Sequence, residues 1–338
     1  MRPSFQPRLI NDPFSDPGLF IHFLFEKRAL LFDLGNLDAL TSKDLLKISH
    51  VFVTHTHMDH FIGFDTLVRI LLGRDKVLHL FGPEHFSRHI EGRLSGYNWN
   101  LVNDYLNDFR IVIHEIQEHA VLTKTYACRD RFISQDEPDI QPLSGAILEE
   151  PSFSVQCTIL DHRIPCLAFS LTENFYVNIN KEALRELGLP VGPWLTQFKT
   201  SIYEKQDPDT DFTVRWNEKD GRTTVEKVFP FGNLVEKIAK ISRGQKITYI
   251  ADSAGSRENY DRIVNLARGS DLLFIEAAFM ENEKELARKK YHMTAREAGI
   301  LARKAGVKQF RLFHFSPRYR HCAHELEREA RNAFMQGN

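Results

Sequence analysis

The 338-residue chain has few cysteines and no long apolar run. Its four cysteines, Cys128, Cys157, Cys166 and Cys322, lack the spacing of a zinc or redox motif, so we expect free thiols and a cytoplasmic protein. No segment approaches the roughly 20 consecutive apolar residues of a transmembrane helix, so we expect no membrane span. Residues 1–4 also lack the apolar segment of a signal peptide.

The chain has no excess of charge of either sign. Its 44 Lys and Arg residues nearly balance its 45 Asp and Glu residues, which leaves a net charge of −1. Nucleic-acid enzymes are more often basic, so the charge alone gives no support for an RNA substrate. With 42% hydrophobic and 26% charged residues, the sequence can bury a sizeable core and stay soluble, as one large domain or two small ones.

What the sequence does contain is a dense group of metal-binding side chains. The stretch is Thr54-His55-Thr56-His57-Met58-Asp59-His60-Phe61-Ile62-Gly63. An apolar, β-branched run ending at Val53 predicts a buried strand before it, and apolar residues at helical spacing predict a helix after it. Side chains on such a turn can converge on one point, and imidazole and carboxylate suit Zn²⁺, Mn²⁺ or Fe²⁺. The alternative is a polar loop that is rich in histidine without binding metal.

The last third of the chain alternates regularly between predicted strands and helices from Lys246 onward, which indicates an α/β layer. Three of its predicted strands end in polar residues: Asp252, Glu276 and His314. Active-site groups commonly lie at the carboxyl ends of strands in such sheets.

Two further polar residues follow predicted strands. Asp33 ends the second strand of a predicted hairpin, Leu19 to Phe25 and Ala29 to Phe32. It is either a loop carboxylate or the partner that fixes a ligand histidine. His162 follows the strand Phe153 to Leu160, and a lone histidine there is more often structural than a ligand.

Other segments give weaker predictions. Leu37 to Ile48 is predicted as a helix, and Asp130 to Glu150 as a polar loop. The stretch from about 178 to 230 has charges of both signs and a predicted hairpin around Asp220-Gly221. Because its apolar residues are sparse, we expect it to lack a core of its own and to form a protrusion.

The metal-binding stretch resembles that of the metallo-β-lactamase fold, and the last third resembles ribonuclease Z, the enzyme that removes the 3′ trailer of precursor tRNA. The matching segments are Ile250-Ala251-Asp252-Ser253, Ala267-Arg268-Gly269-Ser270-Asp271-Leu272-Leu273, Ile275-Glu276-Ala277-Ala278-Phe279, His292-Met293-Thr294-Ala295-Arg296-Glu297-Ala298, Ala305-Gly306-Val307-Lys308 and His314-Phe315-Ser316-Pro317-Arg318-Tyr319. The resemblance implies a single α/β domain over residues 1–338, a four-layer αβ/βα sandwich with an inserted protruding arm.

The resemblance also implies a complete site with two Zn²⁺ ions per chain. The implied metal ligands are His55, His57 and His162 for one ion, Asp59, His60 and His314 for the other, and Asp252 as the bridge. A hydroxide activated by the two metals would attack the phosphodiester. Asp59 would orient it or accept its proton. His292 would protonate the leaving oxygen, Glu276 would orient its ring, and Asp33 would hold a ligand histidine.

In ribonuclease Z the arm of one subunit of a homodimer grips the tRNA bound at the other subunit. Leu187-Gly188-Leu189-Pro190-Val191-Gly192-Pro193 resembles the Gly-Pro motif of that arm, which makes Gly192 and Pro193 candidate substrate-binding residues. Here the arm mixes Lys199, Lys205 and Arg215 with acidic residues. A related hydrolase of a small phosphodiester, ester or lactone therefore remains the alternative enzyme. A non-catalytic binding protein fits the complete ligand set less well.

Overall fold

The computed structural model describes residues 4–24, 26–134, 137–218 and 223–336. The strands are β1 (Phe5–Leu9), β2 (Leu19–Phe23), β3 (Ala29–Phe32), β4 (Ile48–Phe52), β5 (Lys76–Gly82), β6 (Phe109–Ile116), β7 (Ala120–Ala127), β8 (Asp139–Pro142), β9 (Leu148–Glu149), β10 (Phe153–Asp161), β11 (Pro165–Glu173), β12 (Phe175–Ile179), β13 (Asp211–Asn217), β14 (Thr224–Pro230), β15 (Ala239–Arg243), β16 (Lys246–Ile250), β17 (Leu272–Glu276) and β18 (Phe310–Phe313).

The α-helices are α1 (Ser42–Leu45), α2 (Met58–Phe61), α3 (Phe64–Leu71), α4 (Phe86–Ser95), α5 (Lys181–Glu186), α6 (Trp194–Tyr203), α7 (Phe231–Ile238), α8 (Arg257–Ala267), α9 (Lys284–Lys290), α10 (Ala295–Lys304) and α11 (Ala323–Met335). Short 3₁₀ turns lie at Val102–Asp104, Cys128–Asp130, Glu281–Glu283 and Pro317–Tyr319.

Two mixed sheets dominate the larger of two compact units, which comprises Phe5–Leu148, Val155–Leu171 and the chain from Lys246 onward. The first sheet has the strand order β1-β2-β3-β4-β5-β6-β7-β8, and β3 to β6 run parallel. The second has the order β18-β17-β16-β11-β10-β9, and β16 to β18 run parallel. The polar residues predicted at strand ends therefore reach the same edge of each sheet.

Alternation along the strands produces the layers. The side chains of Phe32 and Phe52 project from one face of the first sheet and pack on Phe169 of the second sheet. Their ring centroids lie 5.8 and 5.5 Å, respectively, from that of Phe169. Residues of the opposite face, such as Val51, join a core with α3 and α4, and the second sheet buries its outer face under α8, α10 and α11. The α/β sandwich expected from the sequence is thus confirmed.

Of the local predictions, the hairpin is confirmed and the bounds of the first helix are not. The hairpin of β2 and β3 forms as expected, although Phe25 lies outside the described residues. The helix predicted over Leu37 to Ile48 forms only over Ser42–Leu45, and β4 already begins at Ile48. The Asn36 side chain accepts the N–H of Asp38 in a turn, and Thr41 caps a helix that begins only at Ser42.

The prediction that Asp130 to Glu150 is entirely loop is wrong as well. It contains β8, which pairs with β7, and the short β9. All four residues of β8 are exposed, so no apolar alternation reveals this strand in the sequence.

The smaller unit comprises mainly Glu149–Ser154 and Thr172–Gln245, a wider range than the predicted arm at about 178–230. The expectation that this segment lacks a core is wrong. Its buried apolar residues are Val177, Leu184, Leu189, Trp194, Phe198, Ile202, Phe212, Val214, Phe231, Leu234 and Ile238. A few aromatic rings bury as much area as many aliphatic side chains, which explains how a sparse apolar pattern suffices. Strands β13 and β14 pair as a hairpin, while Asp220-Gly221 lies outside the described residues.

No helix among the described residues is long and apolar enough to cross a bilayer. All four cysteines are free thiols, with Cys166 buried and Cys157 partly buried.

Candidate metal centre

The metal-binding stretch is held against the chain that follows β3. The N–H of Leu34 donates to the carbonyl of His60, and the N–H of Gly63 donates to the carbonyl of Leu34, both at 2.8 Å. A Cβ at Gly63 would lie 2.3 Å from the carbonyl oxygen of Gly35, so only glycine fits here. This clamp fixes the turn between β4 and α2 and therefore aims its histidines.

All seven predicted metal ligands lie together. They form two groups whose potential ligand atoms lie within 4.8 Å of one another: His55, His57, His162 and Asp252, and Asp59, His60 and His314. A third group with the same spacing joins His292 to Asp252 and His314. His162 follows β10, Asp252 follows β16 and His314 follows β18, so sheet topology brings them to the loop after β4.

Asp252 lies between the two groups and turns one carboxylate oxygen towards each. Its Oδ2 is 3.5 Å from Nε2 of His162 and 3.8 Å from Nε2 of His55. Its Oδ1 is 3.5 Å from Nε2 of both His60 and His314. A carboxylate in this position is suited to bridge two cations.

The Asp33 carboxylate is a hub beneath both groups. Its Oδ2 lies 2.9 Å from Nδ1 of His60 and accepts hydrogen bonds from the hydroxyls of Tyr249 and Thr54. The Thr54 hydroxyl also lies 3.0 Å from Nδ1 of His55. One buried carboxylate thereby orients His60 directly and His55 through a hydroxyl, and leaves Nε2 of each ring facing Asp252.

His162 is fixed by a backbone carbonyl. Its Nδ1 lies 2.7 Å from the carbonyl oxygen of Tyr291, which requires the Nδ1–H tautomer and leaves Nε2 as the lone-pair nitrogen. Tyr291 has φ +61°, and Asp33 and His314 share this left-handed conformation at +58° and +59°. Non-glycine residues adopt it at a cost and cluster at functional sites.

The residue after Tyr291 completes the arrangement. Nδ1 of His292 lies 3.1 Å from Oε2 and 3.2 Å from Oε1 of Glu276, which is fully buried. Oε1 of Glu276 also accepts the N–H of Ser253 at 2.8 Å. The imidazole is therefore held through Nδ1, and Nε2 remains to face a substrate.

Electrostatics separates the histidines. Burial lowers the pKa of His55 well below its usual value, so its ring stays neutral and able to ligate. Burial also lowers the pKa of His292, but Glu276 and Asp252 outweigh it and raise the pKa to about 9. For Asp59, burial raises the pKa, but the hydrogen bond to His314 and the nearby His60 keep it well below its usual range. The site thus contains one imidazole whose pKa is lowered, which suits ligation, and one whose pKa is raised, which suits proton donation.

Two atoms of the site, Nε2 of His60 and Oδ1 of Asp252, are suited to bind a cation. Both atoms are buried and have no hydrogen-bond partner among the described residues. For His60, burial lowers the pKa, but Asp252 and Asp33 raise it well above its usual value, so these two carboxylates favour a positive charge at this position. Imidazole nitrogens and carboxylate oxygens are ligands for Zn²⁺, Mn²⁺ or Fe²⁺, and a cation would satisfy both atoms. The residues present therefore fit a metal.

Several supporting groups cannot be found from sequence patterns. Thr54 is the first residue of the metal-binding stretch and Tyr249 lies in β16, and neither position predicts a hydrogen bond to Asp33. Asn259 was not singled out, yet its amide bonds the carbonyl of Asp161 and the hydroxyl of Ser253, which ties together the loops that carry His162 and Asp252. A polar residue in the first turn of α8 was the signal available in the sequence.

No protein-family model matches the chain, but individual proteins do. It is 29% identical to ribonuclease Z of Deinococcus radiodurans over 294 residues, 86% of this chain and 83% of that protein. It is 28% identical to ribonuclease Z of Brevibacillus brevis over 316 residues, 89% of this chain and 80% of that one. The chain is similar to ribonuclease Z along most of its length.

Solved structures agree on the fold. The metallo-β-lactamase fold protein YhfI of Bacillus subtilis superimposes with a TM-score of 0.55 at 16% identity, covering 98% of this chain and 93% of its own. The long form of yeast ribonuclease Z gives a TM-score of 0.53 at 13% identity, over 92% of this chain and 38% of that one. The chain has the metallo-β-lactamase fold.

The segment that resembles the Gly-Pro motif of ribonuclease Z lies in the smaller unit. Trp194 is buried and donates its indole N–H to the carbonyl of Pro190, while Val191 is 67% exposed. Gly192 and Pro193 form the turn that leads into α6. Their role in substrate binding stays a prediction.

Proposed function

We propose that this protein is a zinc-dependent endoribonuclease that hydrolyses one phosphodiester to remove the 3′ trailer of precursor tRNA in the cytosol. The pair of His292 and Glu276 beside the seven candidate ligands carries the proposal. Metal ligands alone would serve many hydrolases, whereas a held acid facing them is what an alkoxide leaving group requires. The similarity to ribonuclease Z supports RNA as the substrate.

The metals would be held by the two groups that share Asp252. His55, His57 and His162 would hold one, and Asp59, His60 and His314 the other. When bound, such a pair of cations lowers the pKa of a water molecule and stabilises negative charge on the phosphate.

The chain's own groups handle the protons. His292 keeps its Nδ1–H on Glu276 and donates the proton on Nε2 to the leaving oxygen. Asp59 is ionised and partly exposed, with Oδ2 3.2 Å from Nε2 of His314, so it can orient the attacking water or accept its proton. Acid and base thus come from different residues, which avoids one group having to serve both steps.

Asp33→Asn should weaken metal binding about 10–100-fold at both groups, because the carboxylate orients His60 directly and His55 through Thr54. Asparagine tolerates the left-handed backbone at this position, so the fold should survive. Competition with a chelator measures the affinity. Tyr249→Phe is the control, since it removes one hydrogen bond to the same carboxylate and leaves both histidine contacts in place. Unchanged affinity in Asp33→Asn would show that the carboxylate has no positioning role.

The smaller unit contains the predicted arm, and we propose that its turn around Gly192 and Pro193 contacts RNA. Deleting residues 180–229 would expose Phe231, Leu234 and Ile238, so a point substitution is the better test. Val191→Glu adds a negative charge at the exposed turn and should raise KM for precursor tRNA about tenfold, equivalent to about 1.4 kcal/mol. Ile241→Glu is the matched control. It makes the same change at a residue that is 52% exposed and lies in β15, distant in sequence from the turn. Equal KM values for the two variants would rule out the turn.

The same variants test the homodimer in which the arm of one subunit serves the site of the other. A mixed dimer of Val191→Glu and His292→Ala subunits contains one intact arm and one intact site on different chains. Such a dimer should cleave the precursor with the wild-type KM if the arm acts in trans. A KM as high as that of the Val191→Glu dimer, in a mixed dimer confirmed by sedimentation, would place the arm and the site that it serves on one subunit.

A further inference from the structure

A cavity of about 290 Å³ opens beside His292 and His314. Its walls come from the segment after β17, the end of α9 and the segment after β18. Because His292 delivers its proton from this side, a group in the cavity would be attached to the leaving oxygen.

The buried part of the cavity wall, here called the floor, is apolar, and the exposed part carries positive charge. Phe279 and Phe315 are buried in the floor, while the side chains of Lys290 and Arg318 are exposed. Acidic side chains are missing from the described residues that line the cavity. An apolar floor suits a base or sugar, and cations suit a phosphate.

The two cations differ in how they are held. Arg318 is paired with the Glu283 carboxylate and lies over the Phe279 ring, with its guanidinium carbon 5.8 Å from the ring centroid. Lys290 ends α9 and makes no ion pair with another described residue. Lys290 is therefore the cation available to a ligand.

We propose that this cavity binds the nucleoside that carries the leaving oxygen, and that Lys290 pairs with the next phosphate of the RNA on that side. The inference rests on the proposed endoribonuclease function and adds the identity of a subsite to it. Base and sugar lie on the apolar floor, and the phosphate on the far side of the sugar reaches the ammonium group. Lys290 acts in binding and leaves the proton transfer by His292 unchanged.

The test compares Lys290→Ala with Lys289→Ala. Both lysines are exposed at the end of α9, and both substitutions remove one positive charge, but Lys289 does not line the cavity. Lys290→Ala should weaken binding of single-stranded RNA and reduce the slope of log Kd against log salt by about 0.7, the contribution of one phosphate contact. Lys289→Ala should leave the slope unchanged. The two variants should have the same thermal unfolding temperature as the wild-type protein, which confirms that they fold.

Two short substrates locate the contact. Each is a dinucleoside monophosphate with one extra terminal phosphate, on the leaving nucleoside in one and on the other nucleoside in the second, and the products identify which nucleoside leaves. The wild-type protein should favour the first substrate at least fivefold in KM. That preference should vanish in Lys290→Ala and persist in Lys289→Ala.

The outcomes separate this inference from the proposed function. If RNA is cut but the two lysine variants behave alike, or the extra phosphate favours the other side, the subsite is wrong and the endoribonuclease stands. If neither precursor tRNA nor the short substrates are cut while bis-p-nitrophenyl phosphate is hydrolysed, the endoribonuclease function itself fails, and the subsite with it.

Discussion

Replacing His292 with alanine should lower kcat for precursor tRNA about 10²–10⁴-fold while both metals stay bound, because the variant lacks the acid for an alkoxide leaving group. Its imidazole is held through Nδ1 by Glu276, and its ring centroid is 5.4 Å from that of His314 and 5.0 Å from that of His162. The loss should be much smaller for bis-p-nitrophenyl phosphate, since nitrophenolate needs little protonation. An equal loss on the two substrates would contradict the acid role.

The pH profile provides a second readout for the same residue. Burial lowers the pKa of His292, but Glu276 and Asp252 outweigh it and raise the pKa to about 9. The protonated form is the active one, so the rate on RNA should fall as the pH rises through this value. Glu276→Gln removes the charge that favours imidazolium and should move the fall to lower pH. If the rate of Glu276→Gln fell at the same pH as that of the wild-type protein, the carboxylate would have no influence on the acid function of His292.

Asp252→Ala should have the other large effect, which is the loss of at least one metal and of activity on every substrate. The two oxygens of this carboxylate face different groups of histidines, and its Oδ1 is one of the buried atoms without a partner among the described residues. After loading with Zn²⁺, elemental analysis should give about two metals per wild-type chain and one or fewer in the variant.

Asp261→Ala is the matched control for this experiment. It removes a carboxylate of the same size from an exposed position on α8, close to Asp252 in sequence. It should keep both metals and full activity. An Asp252→Ala protein with two tightly bound metals would contradict the bridging role, and a wild-type protein that binds none would contradict the metal centre as a whole.

The sequence predicted the local part of this site better than the distant part. Three histidines and an aspartate within six residues, between a buried strand and a helix, indicate metal binding without any family knowledge. His314 lies 255 residues from Asp59 in the chain, yet its Nε2 is 3.2 Å from the Asp59 carboxylate. Only sheet order creates that contact, so His162, His292 and His314 were assigned through the resemblance to ribonuclease Z.

The supporting groups were beyond the reach of pattern reasoning. The Tyr291 carbonyl that fixes His162 is a backbone atom, and its direction depends on a left-handed φ that the residue type does not reveal. The core of the smaller unit was missed for a different reason. Trp194 and Phe198 contact each other on α6, but Phe212 and Phe231 contact Phe198 only once the hairpin and α7 have folded.

Cleavage of a precursor tRNA with a 3′ trailer, run beside hydrolysis of bis-p-nitrophenyl phosphate with added Zn²⁺ or Mn²⁺, tests the central claim most directly. We predict that the loaded wild-type protein releases the trailer by a single cut, and that His292→Ala largely abolishes this cut while it retains most of the activity on the small diester. A loaded protein that hydrolyses small diesters, esters or lactones and never cuts the precursor would contradict the account.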